Sequence, residues 1–494
     1  SNAGCSADLS APVMTRALCH FDNAYFLPEV ELRGFCARTN TQSNTAFRGF
    51  GGPQGALAIE TIMDSIARHR GLDPLDVRLR NLYDPNPSAH RHLTPYGQAV
   101  EENLLPELLG DLVIQSHYRK RREAITAFNA TSPIIKRGLA LTPVKFGISF
   151  NLSHLNQAGA LVHVYTDGTV LVNHGGTEMG QGLNTKVAQV VAQELGVSMQ
   201  RVRVTATDTS KVANTSATAA STGSDLNGQA ARDAARQIRE RLAAFIAQRH
   251  GVDVDSVRFS HDAICWGDGA GGGSSRLSFE DLVAQAYVAR IQLWSDGFYA
   301  TPGLHWDRQT MTGRPFHYFA YGAAVSEVVL DTLTGESRVV AVDILHDVGQ
   351  SLNPALDIGQ IEGGYIQGMG WMMMEELWWH PQNGRLMTHA PSTYKIPCAN
   401  DAPAHFKVRL FGRSNGAPTI HRSKAVGEPP VLLAFSALMA VRDALWSAGG
   451  GEAKGHPALR LLDLSVPATP EAVFRALEDW RGAATTTGAR TGSS

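Results

Sequence analysis

Cysteine is scarce and scattered in this 494-residue sequence: Cys5, Cys19, Cys36, Cys265 and Cys398 stand far apart. No pair has the close spacing used for zinc, a redox dithiol or an iron–sulfur cluster. Isolated thiols of this kind are small buried hydrophobes in a reducing compartment, so the cytoplasm is the expected location. Charge of one sign is also lacking, because 44 Lys and Arg face 46 Asp and Glu for a net charge of −2. That balance excludes the basic surface of a nucleic-acid binder or an anionic-membrane binder. The opening residues do not follow the basic, apolar, small-residue order of a secretory signal. The most apolar long stretch, Pro429 to Trp446, contains Arg442 and Asp443 and is expected as a buried helix, not a membrane span. Histidine offers no pair at metal-ligand spacing on a helix. There is no Ser or Cys nucleophile elbow, no phosphate loop ending in Gly-Lys-Ser/Thr and no dinucleotide fingerprint. Ordinary nucleotide chemistry is thereby disfavoured.

What is present is a long chain with a packed core: 43% hydrophobic and 18% charged residues over a length that suggests two to four domains. Strand-like and helix-like segments alternate irregularly, which predicts an α+β assembly. Composition turns near Thr131-Ser132-Pro133, so the expected domains are 1–135 and 136–481, with a mobile tail at 482–494. Hairpins are predicted around Asp167-Gly168 and Thr334-Gly335, a charged-faced helix over 104–128, a loop over 84–94, a Gly-rich surface loop over 267–275, and a helix opened by Asn353-Pro354.

The 48 glycines are clustered, and one arrangement recurs three times. AFRGFGG (46–52) precedes a helix that starts at Pro53 and stops at Gly71. GGTEMGQG (175–182) precedes a helix over 185–195. TAASTGSD (218–225) precedes a helix over 229–249. Each would offer free backbone N–H groups at a helix start, which suits phosphate. One such turn is weak, but three point to a large phosphate-bearing cofactor.

Glu428 is the carboxylate to single out: it sits between Gly427 and Pro429-Pro430, a stiff, largely donor-poor corner. A chemical role and a role at the start of the following helix both fit it. Arg16 and Arg48 lie among small or apolar neighbours, where a lone arginine is ordinarily a surface residue with its stem packed down. Phe47, Phe50, Phe146 and Phe150 read first as core, and His174 as structural.

Taken together, SNTAFRGFGGPQG (43–55), KFGISF with LNQAGAL behind it (145–161), GGTEMGQG, TAAS (218–221), SLNPALDIGQIEG (351–363), STYKIP (392–397) and KAVGEPP (424–430) resemble the molybdenum domains of the xanthine dehydrogenase group of molybdenum hydroxylases. They follow the family's order over nearly the whole chain. The resemblance implies two molybdopterin-binding domains of mixed sheets and helices with the cofactor at their interface. It also implies molybdenum with oxo and sulfido ligands held through a pterin dithiolene, with no protein side chain on the metal. By motif match, Gln181, Phe47, Arg48, Gly49, Ala219, Ala220, Ser221 and Gln360 would contact the cofactor. Phe50 and Phe150 would sandwich a flat purine. Arg16 would pair with the purine's oxygen and steady negative charge on the ring, and Glu428 would be the base.

Further expectations come from the same resemblance. The reaction is hydroxylation of hypoxanthine to xanthine and of xanthine to urate, with electrons passing to iron–sulfur clusters, FAD and NAD on a partner subunit in a heterotetramer. The family's GGKE-like motif and a second cofactor-side glutamine are not in this sequence, so the chain is expected to be the carboxy-terminal part of a longer subunit. A hydroxylase of aldehydes or other N-heterocycles is the nearest alternative, although aldehyde oxidases typically lack the arginine matched by Arg16. A noncatalytic cofactor-binding or assembly fragment is the alternative of a different class. Carbon monoxide dehydrogenases carry a copper-bound cysteine in the loop that reads AFRGFGG here, which sets them aside.

Overall fold

After a short strand, Asn2–Gly4, which pairs with Ala37–Arg38, helices dominate the first part of the chain. The computed structural model describes residues 2–6, 8–86, 90–212, 214–267, 275–449 and 462–488. Helix α1 (Ser10–Cys19) packs on α2 (Gly52–Arg70), which has Pro53 in its first turn and stops on Gly71 at φ 64°. The single helix expected over 104–128 is two, α3 (Leu105–Gln115) and α4 (Tyr118–Thr131). Between them His117 takes φ 53°, a left-handed turn that ends one helix and redirects the next. Helix α3 buries Leu105, Leu108, Leu109 and Leu112, whereas α4 buries Tyr118, Ile125 and Asn129.

Strand β1 (Ile135–Ile148) follows, then the hairpin of β2 (Gln157–Val164) and β3 (Val170–His174). The expected two-residue turn is wider. Val164 pairs with Val170, and the intervening residues close through Tyr165 N–H to Thr169 O at 2.8 Å and Gly168 N–H to Tyr165 O at 2.8 Å. Next come α5 (Leu183–Leu195), β4 (Val202–Val204), α6 (Gly223–His250), β5 (Trp294–Ala300), β6 (Tyr318–Asp331) and β7 (Ser337–Asp347). The chain continues with α7 (Pro354–Met373), capped by the Asn353 side chain, then β8 (His405–Phe411), α8 (Phe435–Ala448) and α9 (Pro470–Gly488). Helix α9 thus extends into the segment expected as a tail; residues 489–494 lie outside the described residues, as does most of the Gly-rich loop expected over 267–275.

Two four-stranded mixed sheets organise these elements, in the orders β8-β7-β6-β1 and β5-β2-β3-β4. The first is covered on both faces. Helices α1 to α4 supply one core with Leu139, Leu141 and Phe319, and α7, α8 and α9 supply the other with Val144, Phe146 and Ala324. That double burial is why β1 and β6 show little polar alternation. Helix α8 lies so close to β1 that a Cβ at Gly138 would stand 1.9 Å from the Ala440 carbonyl oxygen, so only glycine fits. The second sheet packs α5 and α6 around Val172, Val187, Ala234 and Ile238. The apolar stretch Pro429–Ala448 is 89% buried inside the protein, as its internal Arg442 and Asp443 predict.

Candidate active site

Glu428 stands where three remote segments meet. Its Oε1 accepts the Gly49 N–H at 3.2 Å and its Oε2 accepts the Ser221 hydroxyl at 3.0 Å, while its own N–H donates to Ser221 Oγ at 2.7 Å. The short 3₁₀ turn after it, Pro429–Ala434, receives no side-chain cap from Glu428. The carboxylate therefore reaches across to Gly49 and Ser221 and makes no side-chain cap on its own helix end. Arg48 ties the same corner: its Nε donates to Gly427 O at 2.5 Å, Nη1 to Gln367 Oε1 at 3.1 Å and Nη2 to Gln360 O at 3.4 Å. Burial pulls the Arg48 guanidinium below its ordinary pKa, and the Glu428 carboxylate pulls it the other way.

The backbone around Glu428 takes left-handed turns at non-glycine residues. Phe50 has φ 52°, Ala220 φ 54° and Ser221 φ 56°. Such left-handed non-glycine residues cost of order 1–3 kcal/mol each and cluster where a site demands them. Gly51, at φ 100°, would put a Cβ 2.0 Å from Val13 O, so the 46–52 loop sits tightly on α1. Phe47 and Trp371 meet with ring centroids 5.9 Å apart. The loop bearing Gln181 joins through Thr177 N–H to Thr218 Oγ1 at 2.8 Å. Gln181 itself braces that loop, accepting from Met179 N at 2.5 Å and donating to Thr177 O at 2.8 Å.

One expectation fails here. The start of α5 does not offer free N–H groups, because Glu178 takes them: Gly180 N at 2.9 Å, Gly182 N at 3.0 Å and Asn184 N at 3.0 Å. Burial raises the Glu178 pKa, but these backbone donors outweigh it and hold the carboxyl below its ordinary value. The anion at this helix start is the chain's own, supplied by the Glu of the same GGTEMGQG loop.

Arg16 is 2% exposed and lies beneath the strand end that presents Phe150. It donates to Gly147 O at 2.5 Å and Ser149 O at 2.8 Å, with a long contact to Asn151 Oδ1 at 3.5 Å. Its guanidinium sits 4.8 Å from the Phe146 ring centroid and 5.1 Å from that of Phe316. Among the described residues no carboxylate forms an ion pair with it, and its Nε is buried without a partner. Burial lowers the Arg16 pKa and Glu428 is the largest opposing influence. His20 completes this support, donating from Nδ1 to Arg16 O at 2.9 Å and accepting Gly147 N–H at Nε2, 3.0 Å. Burial, then the Arg16 and Lys145 cations, keep its pKa far below the usual imidazole value, so it is neutral. Phe146 is core, as read. Asn156 holds Phe150 through its backbone N–H at 2.8 Å and its carbonyl at 2.9 Å. Among the described residues no ring contact joins Phe50 to Phe150.

Sequence reasoning did not find His20, Asn156, Glu178, Asp225 or Tyr318. Each acts on another residue's backbone or carboxylate, and such second contacts leave no spacing signature. Glu178 and Asp225 had a visible signal, each being an acid in a small-residue loop ahead of a helix.

The donor set can be tested against a molybdenum-bearing pterin. Among the described residues no group of three or more His, Cys, Asp or Glu is placed to hold a metal. Around Glu428 stand Arg48, amide side chains and left-handed backbone, and Thr177, Met179, Ala219 and Phe47 are exposed. That chemistry fits an organic, anionic group that brings its own metal ligands. A separate cleft of about 1210 Å3 lies between Gln193, Arg232, Gln350 and His421, and none of the expected site residues lines it.

Residues 111–403 match the family described as Molybdopterin cofactor-binding domain, and residues 1–82 match a second family of the same description. The chain is 44% identical over 479 residues to xanthine dehydrogenase/oxidase of Mus musculus, covering 97% of this chain and 34% of that protein. It is 43% identical over 485 residues to xanthine dehydrogenase of Oryza sativa subsp. japonica, covering 97% and 33%. It thus spans about a third of the length of these curated relatives. Among solved structures, quinoline 2-oxidoreductase from Pseudomonas putida 86 superposes with a TM-score of 0.78 at 23% identity, over 95% of this chain and 57% of that one. Aldehyde oxidoreductase from Desulfovibrio gigas gives 0.74 at 23% identity, over 97% and 46%. At these identities the structures share the fold.

Proposed function

The chain belongs to the molybdopterin cofactor-binding domain family, and from that premise we propose that it is the carboxy-terminal cofactor-binding portion of a cytoplasmic xanthine dehydrogenase that hydroxylates purines. The remainder of the enzyme would supply the missing wall of the site, and iron–sulfur, FAD and NAD sites would take the electrons onward in a heterotetramer. Similarity to xanthine dehydrogenases over 97% of the chain supports this reading.

Arg48, Gln181, Ala219, Ala220, Ser221 and Gln360 would hold the pterin, with Phe47 and Gly49 beside it. When bound, the molybdenum centre would supply the oxygen that enters the product, drawn from water, and would take up the hydrogen that the ring carbon loses together with its two electrons. Everything else falls to the protein. Glu428 takes the proton from the attacking oxygen at a carboxylate already oriented by Gly49 and Ser221. Phe50 and Phe150 confine the ring, and Arg16 opposes the negative charge that gathers on it.

The observation that carries a purine, as opposed to an aldehyde, is the Arg16 charge. A buried guanidinium without a carboxylate partner is costly to the fold. It is useful where substrate charge develops, because such charge is stabilised by groups placed in advance. In the complete enzyme, Arg16→Met is expected to cost purine hydroxylation about 2–4 kcal/mol at the transition state, with oxidation of a simple aromatic aldehyde much less affected. Comparing kcat/KM for xanthine and for the aldehyde reads this out. Equal losses would return Arg16 to the support of the 147–150 backbone.

A further inference from the structure

The loop that carries Glu428 is gripped at both ends, and only one grip lies in the site. We propose that Tyr318 and Asp225 are positioning residues that lock the 424–428 loop to the start of α6 and so aim the Glu428 carboxylate. The proposal rests on the reading of Glu428 as the base.

The geometry is a closed ring of hydrogen bonds. Tyr318 begins β6 and is 7% exposed. Its hydroxyl donates to Asp225 Oδ2 at 2.7 Å and accepts the Ala425 N–H at 3.0 Å. Asp225, in the first turn of α6, is 8% exposed and also receives the Ile420 backbone N–H. Four residues before Asp225, Ser221 makes its two bonds with Glu428, which stands three residues after Ala425. The same two loops are thus joined twice, once at the carboxylate and once behind it.

The rear join can steer because of what lies between. Lys424 is fixed by its N–H to Val348 O at 2.7 Å and by Nζ to Asp347 at 2.6 Å. Pro429-Pro430 stiffens the chain on the far side. Between these anchors Gly427 O is held by Arg48 and only Val426 is left untied, so the direction in which Ala425 leaves Lys424 contributes to how Glu428 arrives. Phenylalanine at 318 keeps the ring in the core, removes the acceptor of Ala425 N–H and deprives Asp225 of a donor. A base displaced by even a fraction of an ångström loses rate more than affinity, since orientation matters at the reacting atoms.

The test uses the complete, cofactor-loaded enzyme with Tyr318→Phe, and Asp225→Asn as a second variant should the first fail to fold. Three readouts are expected. Turnover falls about 10- to 100-fold with KM nearly unchanged. Backbone hydrogen exchange quickens in residues 424–428 while that of β1 and β6 stays at the parent rate. In a Glu428→Gln background the Tyr318→Phe change costs nothing further, because it acts through Glu428. Unchanged exchange in 424–428, or an equal fractional loss in both backgrounds, would overturn the proposal. The exchange readout needs no catalysis, so it separates this idea from the base reading. Normal turnover by Glu428→Gln would refute the base while leaving the lock itself to be judged by exchange.

Discussion

Residues near the site have properties that their letters do not carry. Asp225 is an instance: burial pushes its carboxyl up to about 6, against the Tyr318 hydroxyl, the Ile420 N–H and the Lys186 cation, which favour the charged form. A raised carboxyl means that the folded state keeps a proton the unfolded chain has already lost. Stability contributed by this group is therefore highest at low pH and falls as pH rises from about 4 to about 6. Relative to Asp225→Asn, the parent is expected to lose about 3 kcal/mol across that window, since each tenfold difference in proton affinity between folded and unfolded chain is worth about 1.4 kcal/mol. Denaturant titrations of both proteins at several pH values check this, and a difference that stays constant with pH would contradict it. Asp225 lies in TAASTGSD and is visible in the sequence as part of a loop, but its burial is not. Tyr318 reads only as one aromatic in a buried strand, because a hydroxyl's partners come from segments about a hundred residues away in either direction.

Elements are legible where punctuation and period agree. Pro53 and Gly71 bound α2, Asn353-Pro354 open α7, and Gly196 stops α5, each as its residue type predicts. They are illegible where tertiary packing decides. The break between α3 and α4 rests on one left-handed histidine that no composition rule marks. The helix start expected to be free at α5 is occupied by Glu178, whose carboxylate accepts the Gly180, Gly182 and Asn184 N–H groups. Element packing also explains Asp443 of α8, which the sequence alone offers only as a sign that the segment is no membrane span. Its carboxylate receives Arg68 of α2 at 2.7 Å, Arg122 of α4, and the Leu139 N–H of β1 at 2.9 Å. Burial opposes ionisation, yet the two arginines hold the Asp443 pKa below its ordinary value. Asp443→Ala removes the partner shared by two half-buried guanidinium groups, of which Arg68 keeps Asp64 and Arg122 keeps Asp73, and is expected to destabilise the protein by about 1–3 kcal/mol. Calorimetric or denaturant unfolding checks this, and a loss below about 1 kcal/mol would show that water replaces the carboxylate.

At the scale of the whole molecule, the site belongs to no single element. Residues 48–49, 221 and 427–428 are brought together by a sheet covered on both faces and by loops that approach from opposite ends of the chain. Sequence motifs name most of these residues through family resemblance, whereas composition and spacing alone leave Glu428 divided between chemistry and helix support. In the structure the carboxylate bonds to Gly49 and Ser221 and makes no side-chain cap on its own helix, and the proposal made above assigns it to chemistry. The central claim is that this carboxylate is the base. Glu428→Gln keeps an acceptor for Gly49 and reverses the Ser221 bond, its amide N–H donating to Ser221 Oγ where the carboxylate accepted the hydroxyl, so cofactor content and melting temperature should stay near parent values. Only the capacity to take a proton is lost, and single-turnover reduction of the complete loaded enzyme by xanthine should slow by about 10²–10⁴-fold or more. Near-parental reduction by a Gln variant with full molybdenum content would contradict the account and return Glu428 to structure.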